Sequence, residues 1–398
     1  MNKIVLKKDE AKEFLMNYHG LSDNNLFKGK EGVIKYINRV GCIQYDPLNV
    51  VGRNPDLVLQ SRVSNYKASI LEELLYTDRL LVDGWDKMMS IYSQSDWKYF
   101  SRIRNQKGID IKRVLARRGS SEALKYTKEV IKCVKEKGPI LPSQIKLGSR
   151  NQGGRWGHKN LSSATMDYLF NIGVLGIYKK KNTQKIYDLV ENLLPSNEIC
   201  NTDSFETDDE FYKWYIKRRI GSVGLLWARN GGGWLGSFIS NKELRMPLIS
   251  RMVEENELIS VGVENIEETF FIRKEDLHIL NSTKSANDYK IKFLAPLDNL
   301  LWDRDLVKKI FDFSYSWEVY TPVNKRKYGY YVLPVAYNNK LVARFEPELN
   351  RGKSPLAIKN WWWEDKIKVT SQMREKAIQG LKEFSNYLGE YGIDKDNA

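Results

Sequence analysis

Three stretches of this chain repeat one local order, an amphipathic helix that runs into two short apolar strands. A repeated unit of that kind restricts the available folds more than composition does. The clearest copy is "LSSATMDYLFNIGVLGIYKKKNTQKIYDL". Its periodicity predicts a helix from Leu161 to Phe170, opened by Ser162 or Ser163 and ended by Gly173. Strands "VLGIYK" and "KIYDL" then flank the polar tip "KKNTQ". Upstream, "EALKYTKEVIKCVKEKGPILPSQI" supplies a long helix, a break at Gly138 and Pro139, and a short second helix. Helix, turn, helix and wing over about residues 120 to 194 make a winged helix-turn-helix.

The same order precedes and follows it, in "SILEELLYTDRLLVDGWDKMMSIYS" and "MPLISRMVEENELISVGVENIEETFFIRKEDL". The helix-to-strand junctions near Asp78, Gly173 and Asn256 lie roughly 80 to 95 residues apart. From residue 288 the character changes. "YYVLPVAYNNKLVARFEPEL" reads as a hairpin turning at Asn338 and Asn339, and "LAIKNWWWE" as a strand whose alternate rings enter a core. "TSQMREKAIQGLKEFSNYL" reads as a closing helix. The expected fold class is α+β: three tandem winged helix-turn-helix domains followed by a small β-barrel-like C-terminal domain. The boundaries fall at residues 1–115, 116–200, 201–287 and 288–398. The glycines of "SRNQGGRWGHKN" and "RNGGGWLGS" read as loop flexibility.

Charge indicates the partner. Lys and Arg number 64 against 50 Asp and Glu, a formal net charge of +14, and such a surplus favours an anionic partner. The wing tip holds Lys179, Lys180, Lys181 and Lys185, suited to phosphate contact, although a solvated basic turn accounts for them too. Lys325, Arg326 and Lys327 lie beside Tyr328, Tyr330 and Tyr331, an interleaving of cations and rings that suits nucleic acid or, equally, a tyrosine-rich strand. Arg53 and Lys87 join these as DNA-contact candidates. Charge alone suits nucleic acid or an acidic membrane surface; winged helices place a helix in the major groove and wing residues on the backbone, so double-stranded DNA is the expected partner, and a monomer the expected state.

Other chemistries lack their residues. His19, His158 and His278 are not paired at ligand spacing, Cys42, Cys133 and Cys200 are far apart and read as buried thiols, and no phosphate-cradling or dinucleotide glycine motif is present. No metal and no cofactor are expected. No stretch reaches the apolar length of a membrane span, and the start "MNKIVLKKDEAKEF" lacks the apolar centre of a signal peptide, so a cytoplasmic location is expected.

The stretch "VGCIQYDPLN" admits two readings. Asp46 before Pro47 matches a helix N-cap with proline at the first helical position, leaving Gln44 incidental. Alternatively, residues two apart in an extended segment point to one side, so Gln44 and Asp46 converge while Tyr45 turns into packing. A carboxamide and a carboxylate together orient and activate a water, or stabilise a sugar that is gaining positive charge.

The line "GCIQYDPLNVVGRNPDLVLQSRV" and the block "FLAPLDNLLWDRDLVKKIFDFSYSWEVYTPVNKRKYGYYVLPVAYNNKLVARFEPELNR" resemble the AlkZ/YcaQ family of winged-helix DNA glycosylases. In that family a Gln-x-Gln or Gln-x-Asp motif follows a helix, and P-x-D-N-L-x-W-D-R precedes K-R-x-Y-G-Y-Y-V-L-P. The resemblance covers essentially the whole chain. It implies tandem winged helices with a small β-barrel domain, release of alkylated bases, and in the YcaQ branch unhooking of interstrand crosslinks. Gln44 and Asp46 then fall on the catalytic pair. One departure stands out: "GWDKMMSIYS" carries Lys87 where that branch commonly has a histidine. The substrate expected from the resemblance is DNA with cationic N7-alkylated purines. Two rivals remain, a non-catalytic winged-helix regulator and a lyase that uses Lys87 as a Schiff-base amine.

Overall fold

A computed structural model describes residues 4–22, 26–147, 160–181, 183–199, 203–281, 289–348 and 356–389. The glycine-rich stretch 149–159 with His158, and Cys200, lie outside them. The chain gathers into two compact units, Met1–Leu71 with Tyr212–Ala398, and Glu72–Phe211.

The unit Glu72–Phe211 opens with an antiparallel hairpin, Leu81–Trp85 against Met89–Ser93. A long helix, Ser101–Arg117, follows, then Thr127–Lys137, which stops at Gly138 with φ of 75° where a side chain would be strained. The expected short second helix is only a 3-10 turn, Pro142–Gln144, because the closely spaced Pro139 and Pro142 remove the backbone donors that a helix needs. Helix Leu161–Asn171 forms as its periodicity requires. Its cap, however, is Asn160, whose Oδ1 accepts from Ser163 N at 2.8 Å, so neither serine opens it. Strands Leu175–Lys181 and Gln184–Leu189 complete the order of elements. Val130, Val134, Leu161, Ala164, Phe170, Leu175 and Leu189 bury one continuous core. Cys133 is half-buried against it.

In the other unit, helix Gly29–Val40 buries Val33, Tyr36, Ile37 and Val40, an i, i+3, i+4, i+7 face. Strand Ile4–Leu6 pairs in parallel with Leu258–Val263. That strand pairs with Ile266–Arg273, which in turn pairs with Leu226–Trp227. The N-terminal residues and residues 226–273 therefore share one sheet, a pairing that no local pattern announces.

A second sheet runs Lys292–Phe293, Leu333–Tyr337, Lys340–Glu348, Ala357–Trp363, all antiparallel. It is open: among the described residues its first and last strands do not meet, so the expected barrel-like closure is replaced. Helix Ser371–Tyr387 covers the apolar face instead, setting Phe384 5.1 Å from Phe293 and 6.3 Å from Phe345. Trp361 and Trp363 lie 5.2 Å apart, and Trp362 meets Tyr328. The alternation is as expected, but all three tryptophans are only half-buried.

The glycines of "RNGGGWLGS" serve close packing rather than flexibility. A Cβ on Gly231 would collide with the Asp303 carboxylate, and one on Gly232 with the Trp302 carbonyl.

A polar cluster occupies the centre of this unit. Arg62 and Asp298 are wholly buried, with Arg62 Nη2 donating to both carboxylate oxygens at 3.0 and 2.9 Å. Arg62 Nε donates to the His19 carbonyl at 2.9 Å, and its guanidinium lies 4.8 Å from the Tyr36 ring centroid. His19 Nε2 donates to the Val223 carbonyl at 2.9 Å, and Nδ1 faces the Tyr36 hydroxyl at 3.4 Å. Burial first and the Arg62 charge second push the His19 pKa down to about 3. An unfolded histidine binds its proton near pH 6.5 while the folded one stays neutral, so stability is complete above that pH and falls as pH drops toward about 3. We expect wild type to lose about 1 kcal/mol more than His19→Gln between neutral pH and pH ~5.5, read from urea midpoints. Equal losses would show that His19 does not govern the acid limb.

Candidate active site

Gly41, with φ of 76°, ends helix Gly29–Val40 and turns the chain into strand Cys42–Gln44. Cys42, Ile43 and Gln44 are buried, Tyr45 and Asp46 half-buried, and Pro47 exposed. No helix begins at Pro47. The next one is Asn54–Gln60, with Pro55 in its first turn, so Asp46 caps nothing. Its Oδ1 accepts instead from Leu48 N at 2.8 Å, an Asx turn that bends the chain across the proline. Among the described residues no hydrogen bond reaches Oδ2. Burial raises the Asp46 pKa above the usual carboxylate value, opposed by the Leu48 N–H.

Side chains hold this strand by its carbonyls. Arg218 Nη2 donates to the Gly41 carbonyl at 2.7 Å and Asn299 Nδ2 to that of Cys42 at 2.9 Å. Asn54 Nδ2 donates to the Gln44 carbonyl at 2.8 Å. Asn54 also accepts from Leu297 N at 3.0 Å, and Asn299 donates to Ser222 O at 3.1 Å. The backbone that carries Gln44 and Asp46 is thereby tied to residues 297–299.

The block "LAPLDNLLWDR" has a task for nearly every polar side chain. Asp298 caps the turn Asn299–Leu301 and pairs with Arg62. Asp303 caps helix Arg304–Phe311 through Leu306 N and accepts from Trp227 Nε1 at 3.2 Å. Arg304 Nη2 donates to the Pro296 carbonyl at 2.8 Å, closing the block on itself. Of these groups Asn299, set by Asp298, holds the strand, while Asp303 and Arg304 fasten the block to Trp227 and to Pro296. Spacing alone did not distinguish such support from chemistry: Asn54 and Arg62 lie in the line "GCIQYDPLNVVGRNPDLVLQSRV" and Asn299 in "PLDNLLWDR", but nothing local marked them as the residues that hold the strand.

Tyr331 lies close enough to Asp46 to feel its charge. Burial, then Tyr315, then Asp46 raise the Tyr331 phenol pKa well above its ordinary value. Downstream of Trp317, Glu318 accepts from the backbone N–H groups of Lys327, Tyr328 and Gly329 at 2.9, 2.9 and 3.3 Å. Burial works against ionisation of Glu318, but these three bonds outweigh it and its pKa is lowered. The basic stretch is thus displayed on a pinned loop. Lys325 is exposed, Arg326 lies over Tyr330 at 5.1 Å, and Lys327 over Tyr328 at 5.1 Å.

The other expected DNA contacts divide. Lys179 and Lys181 are exposed on their strand, and the Lys185 ammonium sits 4.9 Å from the Phe170 ring centroid. Lys180 departs from expectation: its side chain is only 3% exposed and pairs with Asp83, which also accepts from the Tyr76 hydroxyl. The pleat turns Lys180 to the face opposite its neighbours. Arg53 pairs with Asp56 at 2.6 Å, and Lys87 is buried in the turn between Leu81–Trp85 and Met89–Ser93. Among the described residues no group of three or more His, Cys, Asp or Glu could hold a metal ion, and no helix is long and apolar enough to cross a membrane.

The sequence model of the family described as DNA glycosylase AlkZ-like matches residues 37–384. Among solved structures, the chain is similar to the Streptomyces sahachiroi DNA glycosylase AlkZ, at 16% identity and a TM-score of 0.66, covering 98% of this chain and 100% of that one.

The Asn54 clamp is testable. Asn54→Leu leaves the buried Gln44 carbonyl and Leu297 N–H without their partner, and stability should fall by about 2–4 kcal/mol in urea unfolding. A loss under ~0.5 kcal/mol would show that the strand does not depend on the clamp.

Proposed function

Because the chain belongs to the AlkZ-like family of DNA glycosylases, we propose that it hydrolyses the N-glycosidic bond of cationic N7-alkylated purines in DNA, with interstrand crosslinks through such purines as a further substrate class. The observation that carries this reading is the Asp46 carboxylate, half-buried, with Oδ1 on Leu48 N and Oδ2 unclaimed by any described residue. A guanine alkylated at N7 already bears positive charge and departs without being protonated, so no general acid is needed. What the reaction lacks is charge opposite the developing oxocarbenium sugar and a base for water. Asp46 supplies both, and the Gln44 amide orients the water. Glycoside hydrolysis of neutral leaving groups, by contrast, takes two carboxylates because one must protonate the departing oxygen.

Lys179, Lys181, Lys185, Lys325, Arg326 and Lys327 supply phosphate contact in this reading, while Lys180 and Arg53 are engaged by Asp83 and Asp56 and Lys87 is buried, so phosphate contact falls to the first six. The reaction is hydrolytic and monofunctional. Borohydride should trap no covalent complex with an abasic product, and a trapped species lost in Lys87→Ala would replace hydrolysis by a lyase step.

Asp46→Asn separates catalysis from mere binding. Release of N7-methylguanine from duplex DNA should fall roughly 100-fold or more, while melting temperature and DNA affinity stay near wild type. A non-catalytic regulator would show no release in either protein. In wild type the rate should drop as acid protonates Asp46, with an inflection above the ordinary 3.8 because burial raises its pKa. An acid limb that persists unchanged in Asp46→Asn would assign the titration, and the base, to another group.

A further inference from the structure

Two large apolar side chains stand out of the surface on one short loop, Tyr320 at 78% and Val323 at 77% exposure. Exposed aromatic surface of that size is usually withdrawn or covered, and here it is held out by a rigid support. Tyr320 ends the 3-10 turn Glu318–Tyr320, and Val323 opens the next, Val323–Lys325. Arg326 Nε crosses back to the Thr321 carbonyl at 2.8 Å, and the Glu318 carboxylate fastens the far end through three backbone N–H groups. Lys325 and Lys327, both exposed, and Arg326 follow directly. Tyr320 packs edge-on against Trp317 at 5.9 Å, Trp317 edge-on against Tyr331 at 6.4 Å, and Tyr331 feels the charge of Asp46.

We propose that this loop is a wedge for duplex DNA: Tyr320, backed by Val323, enters the base stack beside the damaged nucleotide while Lys325, Arg326 and Lys327 hold the flanking phosphates. The inference rests on the glycosylase reading and deepens it, since opening the stack beside a damaged nucleotide exposes its sugar and glycosidic bond to a carboxylate on the protein. Unstacking costs a few kcal/mol, and apolar side chains inserted between base steps are a recurrent means of offsetting it. Tyr320 and Asp46 then have separate tasks, one opening the duplex and the other acting on the sugar. Tyr320 is a positioning residue, and its ring rather than its hydroxyl should matter.

The test uses the full chain and a duplex with 2-aminopurine next to a tetrahydrofuran abasic analogue. Saturating wild type should raise the fluorescence as the neighbouring base unstacks. Tyr320→Ala should lose most of that rise, and Tyr320→Phe should keep it. Lys325→Gln should weaken binding while leaving the rise at saturation intact. On N7-methylguanine substrates, Tyr320→Ala should slow release from duplex by about tenfold and from single-stranded DNA by less than about twofold, because a single strand has no stack to open. Wild-type fluorescence at saturating Tyr320→Ala, or equal slowing on both substrates, overturns the wedge. A wild-type protein that releases no base from either substrate refutes the glycosylase reading, and the fluorescence arm still decides on the wedge.

Discussion

The buried pair of Arg62 and Asp298 is the constraint around which the unit containing residues 1–71 and 212–398 is arranged. Both side chains are fully withdrawn from water, and removing either from such a pair typically costs about 3–5 kcal/mol because the other charge is left alone. That cost is avoided only while every remaining donor is used. Arg62 satisfies this with the His19 and Val58 carbonyls and the face of Tyr36. Helix Lys8–Tyr18, helix Gly29–Val40 and the turn at residues 298–301 must therefore be in place together. A salt bridge this deep adds little net stability, but it makes competing packings expensive, since any shift leaves a buried charge without a partner.

The candidate catalytic strand inherits its rigidity from that arrangement. Asp298 and Asn299 are adjacent, so the residue that pairs with Arg62 also sets the residue that holds the Cys42 carbonyl. Asn54 repeats the device at Gln44. Short clamps of this kind matter because charge stabilisation depends on dipoles and carboxylates already in position when the reaction begins. Asp46, just beyond the clamped strand, keeps one oxygen fixed by Leu48 and remains half-open to solvent. It combines a defined orientation with access.

Local sequence read well wherever the determining contact is near in the chain. Helix Leu161–Asn171, its hairpin, and the Asn338 turn with φ of 56° follow from periodicity and turn chemistry. It read poorly where two chemically sensible local partners compete. Asp46 before Pro47 satisfies the pattern of an N-cap, yet the carboxylate bends an extended segment, because the nearest helix starts only at Asn54. The three glycines of "RNGGGWLGS" look flexible in isolation. Gly231 and Gly232 are required because Asp303 and Trp302, some seventy residues away, press against their Cα atoms, and Gly233 because Leu226 does. Lys180 looks like its neighbours in the string, and only the pleat of its strand turns it onto Asp83.

By itself the sequence determined the kinds and order of most elements and the basic character of the chain, since these rest on residue type and on spacing within a few residues, while Gln44 and Asp46 were singled out by the family resemblance because spacing alone left the N-cap reading open. The tertiary structure alone decided the rest. It joined Ile4–Leu6 in parallel to Leu258–Val263, left the C-terminal sheet open under a helix, buried Arg62 against Asp298, and linked Tyr320 through Trp317 to the buried Tyr331. Each of these is a contact between residues far apart in the chain. Its energy depends on burial and on the partner's geometry, and neither quantity exists until the chain has closed on itself.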